Sequence, residues 1–492
     1  MSAELVWSPV HPITPGVKGW KVLAVVLVIG VQQSGGSLAG AEGIVARAGW
    51  APIVVVLVGA TLVGFGYAWL AWRMTRYAVD AESVYLQTGV LFRRQRAVRL
   101  DRVQGVAVVQ PLLARLFGLA EVRIESAGGN DSSVQISYLP EKAAQQLRNV
   151  LLARAAGVEF GTEEQPEAPE APERELLTVP PGRLVASLVR SPAIMFLALG
   201  LVGVVGVAAG TRELGALVPA LPALLGAAGY LWGRFAGEFN FRLAESPDGI
   251  RLRHGLLESR SQTVPPGRVQ AVRLSQPWLW RRKDWWRVES NIAGFAREED
   301  GSTQTVLLPV GDRREALTAL WLVLPDLGAQ DPLAVLDAGL SGEGDAGGFV
   351  TSPHPARWLD PWAWHRNGYR LTERALLVRR GRLSRELAVV PHERTQSLGL
   401  SQGPLQRRLG VATVALHSTP GPVRPQVVHL AEDVAGELVG ALAARARAAR
   451  AGAGPERWMS HTAPPQVRPS GIDAPDVPDV EPATGVPPVG AP

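Results

Sequence analysis

One block of residues occurs three times in this chain with the same internal spacing. It reads Gly89…Arg102-Val-Gln104…Gln110-Pro111, Gly255…Arg268-Val-Gln270…Gln276-Pro277 and Gly381…Arg394-Thr-Gln396…Gln402. In every copy the first Gln lies fifteen positions past the Gly, and the second Gln six further on. A doubly fixed spacing in triplicate marks one structural unit copied along the chain. Twelve positions past each second Gln begins another alternating stretch, at Val122, Val288 and Val414.

The residues around the block alternate apolar and polar. Copy one offers 77–80, 83–87 and 96–100 as strands, copy two offers 241–244 and 249–253, and copy three offers 369–372, 375–379 and 385–390. A Gly between such runs marks a hairpin. Each copy closes on a helical pattern, at 141–154, 312–324 and 431–449; Ala316, Leu317, Leu320, Trp321 and Leu324 recur three and four apart. Strands first and one helix last predict a small antiparallel roll plugged by its C-terminal helix.

Between the copies lie apolar stretches. Trp50 to Trp72 carries no charge, nor does Pro192 to Gly210, and Leu214 to Phe235 is charged only near its edge. Each is long enough to cross a ~30 Å hydrocarbon layer. Val17 to Val31 is shorter and spans only if the polar residues after it are partly drawn in. Pairing these gives two transmembrane hairpins. Arg73, Arg76, Arg93, Arg94 and Arg96, then Arg174, Arg183 and Arg190, then Arg234 and Arg242 all flank the same side. The positive-inside bias puts both termini and all three copies in the cytoplasm. No ionisable residue sits in mid-span in the last three stretches, which argues against transport.

The chain has no Cys, so disulfides, thiolate metal sites and Cys nucleophiles are excluded. Its 8 His show no ligand spacing, and there is no phosphate-binding loop or nucleophile elbow. We therefore expect no catalytic residue, metal, cofactor, nucleic acid or small-molecule substrate. The net charge of +5 is too small to imply a polyanionic partner.

The Gly turn, the Arg-x-Gln strand, the Gln-x-Pro-like turn and the Arg407 to Val411 element resemble the bacterial pleckstrin-homology-like (bPH2) domains of membrane proteins of the YdbT type. The resemblance implies several such domains alternating with transmembrane hairpins. The fold class is then an α+β membrane protein: three PH-like antiparallel β-rolls, each capped by a C-terminal helix, plus two helical hairpins. The boundaries expected are a tail at 1–16, a hairpin at 17–72, a domain at 73–156, an acidic Pro-rich linker at 157–182 and a hairpin at 183–235. A second domain at 236–327, a linker at 328–356, a third domain at 357–450 and a disordered tail at 451–492 complete the chain. Copy two departs from the pattern: Phe117-Gly118 and Leu409-Gly410 of the other copies become Lys283-Asp284, amid Trp278, Trp280, Trp285 and Trp286.

Three groups of residues are candidates for lipid or partner contact. Arg102, Gln104, Arg268, Gln270, Arg394 and Gln396 are the repeated polar pair; an Arg there suits an anionic headgroup, although tying a turn or pairing with Asp101 or Glu393 explains it better. The turn after the second Gln mixes apolar and basic residues. In copies one and three its apolar members, such as Leu116 and Leu405, are expected to plug the roll; in copy two, Trp278, Trp280, Arg281, Arg282, Trp285 and Trp286 exceed what one small core needs and point to lipid or a neighbouring domain. Trp358, Trp362 and Trp364 stand where a third hairpin would be; an aromatic belt favours the headgroup zone, and a place in the third domain's own core is the open alternative. The expected function is a multi-pass plasma-membrane scaffold or binding module, whose partners are the bilayer and other membrane proteins or its own copies. The resemblance adds tolerance of membrane-active peptides as a setting. The competing classes are a transporter or export accessory subunit and a lipid-processing enzyme.

Overall fold

The three glycines that open the repeat each turn a hairpin with φ in the left-handed region: 111° at Gly89, 115° at Gly255 and 70° at Gly381. A Cβ at Gly255 would overlap the Glu258 carbonyl, and one at Gly381 the Ser384 carbonyl, so the turns need glycine. The register across each turn is the same, with Leu86 opposite Arg96, Leu252 opposite Gln262 and Val378 opposite Ala388. The computed structural model describes residues 7–12, 51–80, 83–89, 93–100, 103–126, 134–155, 173–211, 221–246, 249–264, 267–293 and 305–452.

Unit one comprises β1 (Ser8–Pro9), α1 (Ala51–Arg73), β2 (Arg76–Val79), β3 (Ser83–Thr88), β4 (Arg94–Arg99), β5 (Val103–Pro111), α2 (Leu112–Leu116), β6 (Leu119–Ser126), β7 (Val134–Pro140) and α3 (Glu141–Ala155). Unit two runs β8 (Arg174–Thr178), α4 (Pro181–Val189), α5 (Pro192–Thr211), α6 (Leu221–Glu238), β9 (Arg242–Ser246), β10 (Gly249–His254) and β11 (Glu258–Val264). It continues with β12 (Val269–Pro277), β13 (Trp286–Ile292), β14 (Val306–Gly311) and α7 (Arg313–Val323). Unit three follows α8 (Pro332–Leu340) with β15 (Val350–Thr351), β16 (Gly368–Leu371), β17 (Ala375–Arg380) and β18 (Ser384–Pro391). Its second half is β19 (Ser397–Ser401), α9 (Pro404–Arg408), β20 (Val411–His417), β21 (Gln426–Ala431) and α10 (Glu432–Gly452).

Each unit thus splits into a four-stranded front sheet and a three-stranded back sheet. The back sheet of one unit joins the front sheet of the next edge to edge: the strand orders are β1-β2-β3-β4, β7-β6-β5-β11-β10-β9-β8, β14-β13-β12-β18-β17-β16-β15 and β19-β20-β21. The units are therefore not beads on linkers. They are fused through the β5·β11 and β12·β18 ladders.

Strands that serve two units bury both faces, which is why residues 375–378 of β17 and 387–390 of β18 read as unbroken apolar runs rather than alternating ones. Leu377, Leu387 and Val389 enter the core of unit two, while Leu376, Val378, Ala388 and Val390 enter that of unit three. Unit two's core also takes in Val335, Leu336 and Leu340 of α8. Two fully buried arginines bind the end of that helix. Arg366 donates to the Gly339 and Leu340 carbonyls at 2.9 Å each, and Arg379 donates to Ala338 at 3.0 Å and stacks 4.5 Å from the Phe349 ring centre. They satisfy carbonyls that a helix C-terminus leaves without partners.

Several boundaries shift as a result. The expected tail at 1–16 contributes β1, which pairs with β2. The linker at 157–182 gives up β8 to the edge of a sheet, because Leu176 and Leu177 pack on unit two's core. Residues 183–189 belong not to a hairpin but to α4, whose Leu184 and Leu188 are buried in that same core. The linker at 328–356 is a packed layer. Asp331 caps α8 by accepting from Ala334 N at 3.0 Å, and Pro332 sits at its first position. Of the tail at 451–492 only two residues are described, as the end of α10. The apolar run at 17–31 and the connection at 212–220 lie outside the described residues. Among those described, one helix, Pro192–Thr211, is long and apolar enough to cross a membrane. Of the two hairpins expected, the described residues thus support this one membrane-length helix, α5; α1 and α6 are helical as well, and α6 packs on α5.

Candidate functional site

The apolar helices occupy the same place in units one and two: between the first and second strands of the front sheet. The chain leaves β1 and returns through α1 into β2, and leaves β8 and returns through α6 into β9. In unit three, β15 and β16 are joined by residues 352–367, which hold Trp358, Trp362 and Trp364. The return point is identical, since β2, β9 and β16 all start thirteen positions before the marker glycine. Trp358 and Trp362 are 72% and 67% exposed, whereas Trp364 is half-buried, edge-on to His354 at 5.6 Å. Leu62 and Val63 on α1, Phe196 and Val202 on α5, and Leu225 and Trp232 on α6 are exposed too. So much outward apolar surface on helices marks contact with a lipid or protein phase.

Where α6 meets the sheet, charge is taken inside. Glu238, at the last position of the helix, is buried, with Arg234 Nε at 3.3 Å and Arg287 Nη1 at 2.7 Å. Arg287 Nε then donates to Glu289 at 3.0 Å, and Glu289 accepts from Arg273 at 2.5 Å. This ladder of three cations and two carboxylates fixes α6 to β13. Burial alone would raise the Glu289 pKa, but Arg287 and Arg273 outweigh it and hold the carboxyl down at about 2. Burial would lower the Arg287 pKa, and Glu238 with Glu289 raises it instead. Beside the ladder, Gly229, Gly233 and Gly237 of α6 face a cavity of about 610 Å3 together with His254. His254 bonds the Gly237 carbonyl through Nδ1 at 2.7 Å, and burial lowers its pKa. The His254 Nε2 and Glu238 Oε2 atoms are buried without a partner.

The turns after the second Gln reverse the sequence expectation. In unit two the Trp cluster is mostly core: Trp280 and Trp286 are 1% and 0% exposed, so they face protein rather than lipid. Trp280 donates to the Ser187 carbonyl of α4 at 3.1 Å, Trp285 lies edge-on to Trp280 at 6.4 Å, and Arg190 sits 5.8 Å over the Trp285 ring. Trp278 is partly exposed, Arg282 exposed, and Arg281 reaches the Leu383 carbonyl at 3.2 Å. In units one and three nothing like α4 covers the turn among the described residues. Leu116 and Phe117 on one side and Leu405 on the other stand exposed instead of plugging the roll, next to Arg115 and to Arg407 and Arg408.

Asp284 explains how copy two departs from the pattern without changing shape. It takes the left-handed backbone (φ 48°) that Gly118 and Gly410 hold at φ 63° in the other units. Asp tolerates that region, and here its carboxylate accepts from Gln276 and the Trp286 indole at 2.9 Å each and from Arg313 at 3.0 Å.

The repeated Arg and Gln residues mark equivalent points and do not converge on one place. Arg102 lies outside the described residues, and of Gln104 only its position on β5 is described. Gln270 is buried and reaches the Arg268 carbonyl at 3.5 Å, a long bond that ties the start of β12. Arg394 pairs with Glu393 at 3.2 Å, and Gln396 is exposed, its backbone N bonding His417 O at 3.1 Å. Sequence reading missed the ladder. Its one local signal is Arg234-x-x-x-Glu238, an ion pair at helical spacing closing an apolar helix. Among the described residues no group of three His, Cys, Asp or Glu is placed to hold a metal ion.

Among curated proteins, the chain is 23% identical over 105 residues to the UPF0699 transmembrane protein YdbT of Bacillus subtilis (strain 168), a stretch covering 20% of this chain and 21% of that one. The chain thus matches about a fifth of that relative's length. No solved structure matches. The bacterial PH domain model matches three times in succession, over residues 24–155, 194–319 and 320–446, and with most of its length accounted for the protein belongs to the bacterial PH domain family.

Proposed function

We propose that this protein is a non-catalytic scaffold or binding module of the plasma membrane, with three cytoplasmic PH-like units held against the bilayer's inner face. The observation that carries this reading is the shared insertion point. Two units place apolar helices between their first and second strands, and the third places Trp358, Trp362 and Trp364 there. An aromatic turn substituting for a helical anchor fits the headgroup zone, where amphipathic rings settle.

The turns after the second Gln support the same orientation. In unit two that turn packs on α4, immediately before α5 begins at Pro192, and so lies at the root of the anchor. By the repeat, the turns of units one and three face the same way and bring Leu116, Phe117, Leu405 and their neighbouring arginines to the lipid surface. Each such cation contributes about 1 kcal/mol near anionic headgroups. The buried ladder at Glu238 gives α6 a fixed angle to its domain, as a scaffold requires.

Because the chain lacks Cys, single cysteines report topology cleanly. Thr211→Cys should react with an impermeant thiol reagent added to intact cells. Ser401→Cys should react only after permeabilisation. The opposite pattern rejects the proposed orientation.

A further inference from the structure

The two seams inside the chain use one rule. In the first, Gln110 of β5 stands opposite Ser259 of β11; in the second, Gln276 of β12 stands opposite Arg385 of β18. Gln110 and Gln276 are the second Gln of their repeats, and Ser259 and Arg385 each lie four positions past their marker glycine. The same two strand types thus meet twice in the same antiparallel register.

The rule leaves one strand of each type over. Among the described residues β4 ends the first sheet and β19 ends the last. β4 is the equivalent of β11 and β18, and β19 of β5 and β12. We propose that β4 of one molecule adds to β19 of another copy, so that the series of PH units continues from chain to chain. The register follows from the two seams: Ser401 opposite Arg94, Leu400 opposite Gln95, Gly399 opposite Arg96 and Ser397 opposite Val98.

Charge selects this pairing over its rivals. β4 carries Arg94, Arg96 and Arg99, and β19 carries no charged residue. Antiparallel pairing of β4 with β4 would set arginines against one another, which is unfavourable for directly opposed like charges. Pairing β19 with β19 joins two back sheets, an arrangement present in neither seam. The main chain supplies most of the attraction in strand addition, and the internal seams show that this edge geometry suits the fold. Because the two edges differ, the contact is head to tail and either closes into a ring or runs on as a filament. The inference goes beyond the anchoring role and stands or falls independently of the membrane orientation.

The absence of Cys makes the test direct. Arg94 and Ser401 are both exposed. Directly opposed residues of an antiparallel pair have Cα atoms about 4.5–5.5 Å apart, within disulfide range. Full-length Arg94→Cys and Ser401→Cys chains, co-expressed with different tags and oxidised in native membranes, should yield a disulfide-linked heterodimer. Either variant alone should stay monomeric on a non-reducing gel, and the double variant should give a ladder of higher multiples. Arg94→Cys with Ser397→Cys, four positions out of register and so about 13 Å apart, should cross-link several-fold less. Linkage equal in both pairings, a homodimer of either single variant, or a purified chain that weighs as one copy and forms no linked product, overturns the proposal.

Discussion

The carboxylate of Glu238, the last residue of α6, lies 2.7 Å from the guanidinium of Arg287 on β13, and the Glu238 side chain is buried. An apolar helix is thereby joined to its domain by charge inside protein. Removing one member of a buried pair leaves the other unpaired, at a typical cost of about 3–5 kcal/mol. Arg287 retains Glu289, so Glu238→Ala should lose about 2–3 kcal/mol. Glu238→Gln, which keeps a hydrogen-bond acceptor, should lose less. Thermal melting of the detergent-solubilised chain, followed by tryptophan fluorescence, checks both; unchanged melting would show that the contact carries no stability.

The same region sets the response to acid. His254 is buried with a pKa below the ordinary 6.5, among Glu238, Glu258 and Arg260. The unfolded chain therefore takes up a proton that the folded chain refuses, and stability falls as pH drops through about 6.5. His392, also buried and bonded to the Thr372 carbonyl at 3.0 Å, acts in the same direction. Glu289 adds a second loss at lower pH: its contribution is complete above 4.5 and disappears as pH falls towards 2. Melting temperature measured from pH 8 to 3 should fall in two stages. His254→Gln should shrink the first stage to the share left by His392 and keep the second in place.

Asp284 separates backbone from side chain. Asp284→Ala keeps neither the tolerance for φ 48° nor the bonds to Gln276, Trp286 and Arg313, and should cost about 2 kcal/mol. Asp284→Gly restores the residue type of the other two units and should cost about half as much. Denaturant unfolding of the two variants side by side tests the order. If the Ala variant is the more stable of the two, the left-handed turn is not what the residue is kept for.

The tryptophans of unit two and unit three should behave oppositely. Trp286→Ala opens a void in a filled core and should destabilise by about 3–5 kcal/mol. Trp358→Gln and Leu405→Gln alter exposed side chains and should move stability by less than about 0.5 kcal/mol. They should nonetheless weaken lipid contact. An environment-sensitive dye on Trp358→Cys, in the chain reconstituted into nanodiscs, should be quenched by lipid-borne quenchers. No quenching there would remove the aromatic turn from the bilayer surface.

What the sequence made legible was whatever recurs at fixed spacing. The marker glycines turn hairpins, the strands at Val122, Val288 and Val414 form, and the closing helices follow the 3.6-residue pattern. What it hid has a common physical cause: partner choice across units. Nothing in the alternation of β5 says that its neighbour is β11 rather than β4, because a ladder's main-chain bonds carry no label. β1 and β15, two residues each, are too short to show a period. The packed layer at 328–356 did leave a trace in Asp331-Pro332, a cap followed by a favoured first residue, and in the unbroken apolar run of Leu387 to Val390 that it covers. Burial at the turns is not legible in the sequence, because composition alone cannot tell which turn a neighbouring helix shelters.

The insertion between first and second strands has a consequence for how such chains diversify. Adjacent antiparallel strands bring their ends side by side, so whatever joins them, long or short, meets the sheet at one narrow doorway. Exchanging helices for an aromatic loop, as unit three displays beside unit two, keeps the first strand paired antiparallel with the second, over two residue pairs in unit three and four in unit two. The fold therefore has a socket that accepts different insertions, and a unit can change what it carries there without relearning how to fold.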